Sequence, residues 1–319
     1  MILENTMAKR RKSRKTAKTL ISILIVLVLA IISYFTEPWQ YISGNKNEIN
    51  NKNEASVTDL QVHYIDVGQA DSILIRVPTS EGVKNMLIDA GTSDGYPASN
   101  IVNYLNGLGI TEIEYMIITH PHLDHIGAAD EVITDFTIRN IIIPECEASS
   151  KSWLNVLTAM DEKNLAYIPS EAGKTYTIGE ASFTILGPID ATSVKPSDAN
   201  NYSVVIRLSW GDTSFLFTGD AETSSEAEML NRFPASSFRC NVLKVGHHGS
   251  TTSTSDAFLA AASPDLAVIS CGAGNSYGHP HKETVEKLEN AGVQILRTDE
   301  EGTIILCSDK KEVFRLTSK

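Results

Sequence analysis

Thr119-His120-Pro121-His122-Leu123-Asp124-His125-Ile126-Gly127 is the stretch that decides how this chain folds. It follows an apolar run, Tyr115-Met116-Ile117-Ile118, and precedes a segment with helical spacing over 128–136. A strand therefore ends in a polar loop that passes into a helix, and rigid elements on either side let such a loop aim its side chains at one point. His120 and His122 stand two apart on extended backbone and can project to the same side. Asp124 and His125 follow where the chain turns and can face a second point. Neutral imidazole with carboxylate suits Zn²⁺, and with more oxygen donors Mn²⁺ or Fe.

The same grammar recurs along the chain: an apolar strand, a glycine, then His or Asp. It appears at Ile88-Asp89-Ala90-Gly91, at Thr218-Gly219-Asp220 and at Gly246-His247-His248-Gly249-Ser250. Alone, Asp89 also reads as a turn former. Paired histidines in a glycine loop seldom serve packing. Between these points, residues 62–69 and 72–77 read as two strands around a tight turn, and 85–91 as a third. Segments 101–108, 128–136, 153–165, 224–233, 257–262 and 283–291 carry helical spacing. Hairpins are expected over 175–186, turning at Gly179-Glu180, and over 203–218, turning at Gly211-Asp212. Helices and strands alternate in two similar halves, which predicts an α/β fold with sheets inside and helices outside.

Composition limits partners and compartment. The 319 residues carry 27 basic and 39 acidic side chains, a formal charge of −12. Lys9, Arg10, Arg11, Lys12, Arg14, Lys15 and Lys18 cluster at one end, so the remainder holds 20 basic against 38 acidic residues. So acidic a surface repels polyanions, and no stable nucleic-acid complex is expected, although nuclease chemistry stays open. The four cysteines, Cys146, Cys240, Cys271 and Cys307, show no C-x-x-C pair and read as buried free thiols, a disulfide remaining an alternative. Residues 1–18 read as a basic cytoplasmic tail and 19–36 as an uncleaved transmembrane signal anchor, with Tyr34, Phe35 and Trp39 at the outer interface. A cleaved, secreted form is the alternative, but Ser33-Tyr34-Phe35-Thr36 offers no small-residue cleavage site. Residues 37–57 read as a polar linker and 58–319 as the globular domain, placed outside the cell.

The order Asp89, His120-x-His122-x-Asp124-His125, Asp220, His247-His248 resembles the metallo-β-lactamase superfamily. The stretches His63-Tyr64-Ile65-Asp66-Val67-Gly68-Gln69-Ala70-Asp71-Ser72, Asn200-Asn201-Tyr202-Ser203, Leu243-Lys244-Val245-Gly246-His247-His248-Gly249-Ser250 and Tyr277-Gly278-His279-Pro280-His281 resemble its ComEC/Rec2-related branch. The resemblance implies a four-layer αββα sandwich over roughly 60–317 and a centre with two divalent ions, Zn or Mn. It implies that His120 and His122 hold one ion, Asp124 and His125 the other, and that Asp220 bridges them. One of His247 and His248 completes the second set, His248 being favoured, and Asp89 orients a ligand imidazole. No His lies between His125 and His247, where many members have a further ligand, so the first ion is expected to be held weakly, or with help from Asn200, Ser203 or water.

Two such ions would activate a water for attack on a phosphoryl or carbonyl group, with Asp124 in the catalytic set and His279 and His281 as candidates to protonate the leaving oxygen. Asn200, Ser203, Ser250 and Thr251 are candidates for binding the substrate. The expected activity is hydrolysis of a small or polymeric phosphoester. Lactonase- or lactamase-type cleavage and a non-catalytic binding module are the alternatives.

Overall fold

The structure is a computed structural model, and it describes residues 49–92 and 101–317. Among these, sixteen strands form two sheets. The first half of the chain supplies β1 (Asn50–Lys52), β2 (Leu60–Tyr64), β3 (Ile73–Thr79), β4 (Gly82–Ile88), β5 (Glu112–Ile117), β6 (Thr137–Ile143) and β7 (Tyr167–Pro169). The second supplies β8 (Thr175–Ile178), β9 (Ala181–Gly187), β10 (Val205–Trp210), β11 (Thr213–Phe217), β12 (Val242–Lys244), β13 (Leu266–Ile269) and β14 (Gln294–Arg297). The last two, β15 (Ile304–Ser308) and β16 (Val313–Leu316), return to the first sheet, whose order is β1-β16-β15-β2-β3-β4-β5-β6-β7. The second sheet runs β14-β13-β12-β11-β10-β9-β8. Each sheet joins an antiparallel half to a parallel half: β4 to β7 are parallel in the first, β11 to β14 in the second.

Strand alternation divides the apolar residues among three cores. In β3 and β4, Ile73, Ile75, Met86 and Ile88 face the other sheet, where they meet Phe183, Ile206, Phe215 and Val268. Leu74 and Leu87 face outward, beneath α1 (Ile101–Gly107), α2 (Leu123–Ile126), α3 (Ala129–Asp135) and α4 (Lys151–Glu162). On the far side, Leu216, Leu243 and Ala267 pack under α5 (Thr223–Arg232), α6 (Asp256–Ala262) and α7 (Lys282–Asn290). Three cores between four layers make the αββα sandwich that the resemblance implied. The helices are amphipathic for this purpose: α4 buries Trp153, Val156, Ala159 and Met160 on one face, and the Ser150 side chain caps it by accepting from Trp153 N. A short helix, α8 (Thr298–Glu301), precedes β15.

Two expectations change. Residues 65–72 form a loop rather than a tight turn, because the chain leaves the sheet to enter the site. Gly68 takes φ 76° there, and Asp66 Oδ1 accepts from Gly68 N at 3.1 Å. Asn50–Lys52, inside the stretch read as polar linker, is instead an edge strand parallel to β16. Ile49 packs on the inter-sheet core and the Lys52 ammonium lies 3.7 Å over the Phe314 ring, so this part belongs to the domain. Strand β7 and helix α8 are too short to give a periodic signal. All four cysteines are free thiols. The expected tail and membrane span over 1–36 lie outside the described residues, as does most of the linker; no helix among the described residues is long and apolar enough to cross a membrane.

Candidate metal centre

The loops that follow parallel strands meet at one end of the sandwich, where ligands of open α/β sheets gather. Asp89 follows β4, His120 to His125 follow β5, Asp220 follows β11, and His247 and His248 follow β12. Gly219 permits one of these close approaches. It takes φ +51°, and a Cβ there would lie 2.9 Å from Ser203 Oγ and from Thr119 Cβ.

Asp220 is the hub. Its Oδ2 lies 3.4 Å from His125 Nε2, 3.7 Å from both His248 Nε2 and His247 Nε2, and 3.9 Å from His120 Nε2. Asp124 Oδ2 lies 3.2 Å from His248 Nε2 and 3.7 Å from His125 Nε2. His120 Nε2 is 3.0 Å from His122 Nδ1.

Three of the rings are oriented from behind. His125 Nδ1 donates to Asp89 Oδ2 at 2.7 Å, and Asp89 also accepts from Thr119 N at 2.8 Å and Thr119 Oγ1 at 2.7 Å. The Thr119 hydroxyl proton is thereby committed, so His120 Nδ1, 3.1 Å away, is the donor to Thr119 Oγ1. His248 Nδ1 donates to the Ser270 carbonyl at 2.9 Å. Three Nε2 atoms therefore converge on Asp220, the arrangement that metal-ligating imidazoles require.

The donor set fits a divalent cation. One donor atom each from Asp124, His125, Asp220 and His248 lies within 4.8 Å of the others. His125 Nε2 and Asp220 Oδ1 are buried with no hydrogen-bond partner, which is costly unless something else satisfies them. Burial opposes a charged His125, but the carboxylates of Asp220, Asp89 and Asp124 outweigh it and raise the imidazole well above its ordinary value. The pocket thus attracts positive charge. Burial also opposes ionisation of Asp220, yet His125, His248 and His120 hold it well below the carboxylate range.

The two halves of the expected centre differ. The set around Asp124, His125, Asp220 and His248 closes tightly, whereas His120 and His122 have only Asp220 beside them on the His120 side. His247 and His248 diverge because both take left-handed backbone, with φ 50° and 53°. His248 turns inward. His247 also faces Glu222 Oε1 at 3.5 Å and Thr252 Oγ1 at 3.1 Å.

Several expected substrate-binding residues have other partners. Ser203 is fully buried; its Oγ accepts from Asp220 N at 2.9 Å and lies 3.3 Å from His120 Nδ1, so it supports ligands. Ser250 N donates to the His247 carbonyl and Thr251 N to His281 Nδ1, which consumes the N–H groups that a phosphate would need. His281 precedes α7 in that contact; it is not among the residues that line the cavity, and its ring lies 4.8 Å from that of His279, which is. His279 does line the cavity, with Asn200, Asp124, Gln69 and Tyr277. Burial and the neighbouring His248, His247 and His281 lower it to about 4. At neutral pH it is an uncharged hydrogen-bond donor rather than a charged acid. Asn200 Oδ1 is buried and unpaired, while its Nδ2 donates to Glu222 Oε1 at 3.2 Å. Gln69 and Tyr277 escaped the sequence reading as site residues, although both sit in stretches quoted for the resemblance.

The model of the metallo-β-lactamase superfamily matches residues 65–273. ComE operon protein 3 of Bacillus subtilis is 33% identical over 258 residues, covering 76% of this chain and 32% of that protein. Recombination protein 2 of Haemophilus influenzae is 33% identical over 231 residues, covering 72% and 26%, and competence protein ComA of Neisseria gonorrhoeae is 28% identical over 253, covering 79% and 32%. The chain thus spans about a third or less of the length of these relatives. Among solved structures, CmlA, a diiron β-hydroxylase from Streptomyces venezuelae, superposes with a TM-score of 0.51 at 14% identity, covering 82% of this chain and 55% of that one. The metallo-β-lactamase fold protein YhfI from Bacillus subtilis gives 0.50 at 12%, covering 79% and 100%.

Proposed function

The chain belongs to the metallo-β-lactamase superfamily, related to the ComEC-type competence proteins, and from that premise we propose that it is a membrane-anchored, outward-facing phosphodiesterase. The observation that carries this reading is Asp220 Oδ2, set within 3.9 Å of four imidazole nitrogens from two other loops. His120, His122 and Asp220 would hold one divalent ion; Asp124, His125, His248 and the shared Asp220 would hold another. When bound, such ions supply Lewis acidity toward a phosphoryl oxygen and make a water acidic enough to attack at neutral pH.

The chain's own groups do the remaining work. Asp89, Thr119 and the Ser270 carbonyl fix the imidazole tautomers. Asp124, half-exposed at the cavity, can orient an attacking water by accepting its proton in a hydrogen bond. The His279 ring can donate to a leaving or non-bridging oxygen. Gln69 helps fix it, its Oε1 accepting from Gly272 N at 3.0 Å while its Nε2 lies 3.4 Å from His279 Nδ1.

Carboxylates and imidazoles, without any Lys or Arg among the described residues of the cavity lining, suit a substrate whose charge is met by bound cations. That favours a phosphodiester over a neutral lactone or lactam. The relatives' names speak of competence and recombination, which favours a nucleotide ester among phosphodiesters. The acidic surface favours brief contact with a short segment over a stable nucleic-acid complex.

Hydrolysis of bis-p-nitrophenyl phosphate by the purified chain with added Mn²⁺ or Zn²⁺ tests the reading. Turnover should vanish in Asp124→Ala with His125→Ala, and turnover that survives the change would reject the site. The basic cluster before the apolar N-terminal run supports the anchored, outward-facing placement. Protease added to intact cells should then remove the domain, and complete protection would overturn that topology.

A further inference from the structure

Asp71 and Lys244 themselves have no role in the chemistry above, yet the fold joins them directly beneath the centre. In β12, Val242 faces the inter-sheet core and Leu243 the outer helices, so Lys244 also points between the sheets. It is fully buried, where an unpaired ammonium would be very costly. Its Nζ lies 2.6 Å from Asp71 Oδ2 and donates to the Val245 carbonyl at 3.0 Å. Asp71, 2% exposed, comes from the loop between β2 and β3, so the pair ties the first sheet to the second.

Asp71 also touches both halves of the tight ligand set. Its Oδ1, buried and without a hydrogen-bond partner, lies 3.5 Å from His248 Nδ1. Its backbone N–H donates to the Asp124 carbonyl at 3.0 Å, and its own carbonyl accepts from Gly91 N at 2.8 Å.

We infer that Asp71 and Lys244 are a positioning pair: the carboxylate sets a negative charge behind the His248 imidazole, and the lysine, paired to it at 2.6 Å, holds it aimed there. An apolar pair of similar volume would join the sheets as well or better, so cohesion alone does not call for ions here. An apolar pair cannot supply a charge on the Nδ1–H side of a ligand ring, which strengthens Nε2 as a donor to a cation. Lys244 has a second effect. Asp71, Asp89 and His125 offer donor atoms within 4.8 Å of one another, and the lysine ammonium occupies Asp71 so that this inner cluster does not compete for the ion. The inference rests on His248 being a ligand, not on the identity of the substrate.

The test is Zn²⁺ affinity of the full chain, measured by competition with a chromophoric chelator, alongside thermal unfolding. Asp71→Asn with Lys244→Met removes both charges together and is expected to fold, while affinity falls at least tenfold. In a His248→Gln background the same double change is expected to shift affinity by less than about twofold, because its effect passes through that ring. Asp71→Ala with Lys244→Leu serves as a second fold-competent pair, read the same way. Unchanged affinity in a folded pair variant, an equal loss in both backgrounds, or failure of both pairs to fold would each make the residues a structural clamp and overturn the inference. A wild-type chain that binds no Zn²⁺ would defeat the metal reading itself; one that binds Zn²⁺ but cleaves no phosphodiester would defeat only the substrate reading.

Discussion

Asp89 Oδ2 accepts the His125 Nδ1 proton at 2.7 Å, and this contact turns His125 Nε2 toward Asp220. Burial raises the Asp89 carboxyl above its ordinary value, against the downward pull of His125 and Thr119, which donate to it. An ionised Asp89 fixes the ring and makes its free nitrogen a better ligand. Asp89→Asn should therefore weaken Zn²⁺ binding about 10- to 100-fold while leaving the far-ultraviolet circular dichroism unchanged. Chelator competition measures it; unchanged affinity would remove Asp89 from the support of the centre.

A second prediction lies away from the metal. His63, buried against Tyr104 (Nδ1 to OH, 2.7 Å), is lowered to about 3 by burial and by Arg76. The folded state resists protonating this ring, whereas the unfolded chain takes the proton near pH 6.5. The stability from neutral His63 is present above pH 6.5 and is lost as pH falls toward 3. Between pH 7 and 5 the loss should be about 2 kcal/mol. Denaturant unfolding at both pH values should show that loss in the wild type and much less of it in His63→Gln.

A third prediction concerns the mouth of the cavity. Tyr277 is 69% exposed, and its ring stacks on His279 at 5.7 Å and 21°. Stacking of one base on an aromatic ring contributes about 1–3 kcal/mol. Tyr277→Ala should raise KM for the p-nitrophenyl ester of thymidine 5′-phosphate about fivefold or more. It should leave KM for methyl p-nitrophenyl phosphate unchanged, and Tyr277→Phe should restore the first value. Equal effects on both esters would show that Tyr277 does not read the base.

The sequence made the centre legible where chemistry is concentrated in a few consecutive residues. His120 to His125 and His247-His248 announce themselves, and the apolar runs before them announce strands. The helices with clear spacing, such as 151–162, fall within a few residues of their expected limits. What stayed hidden depends on contacts between distant segments. Nothing local distinguishes Lys244 from a surface lysine until β12 is seen between two sheets. That the Thr251 N–H is taken by His281 Nδ1 shows only once the chain folds the two loops together. Asn50–Lys52 reads as linker because three polar residues gain strand character only from the edge of β16.

The most direct test of the account is anomalous diffraction from crystals of the chain grown with Zn²⁺ or Mn²⁺, recorded on both sides of the metal's absorption edge. The account predicts a strong peak enclosed by Asp124, His125, Asp220 and His248, and a second, weaker peak about 3.5–4 Å away toward His120 and His122. Crystals soaked in either ion that show no peak within coordination distance of Asp220 would contradict it.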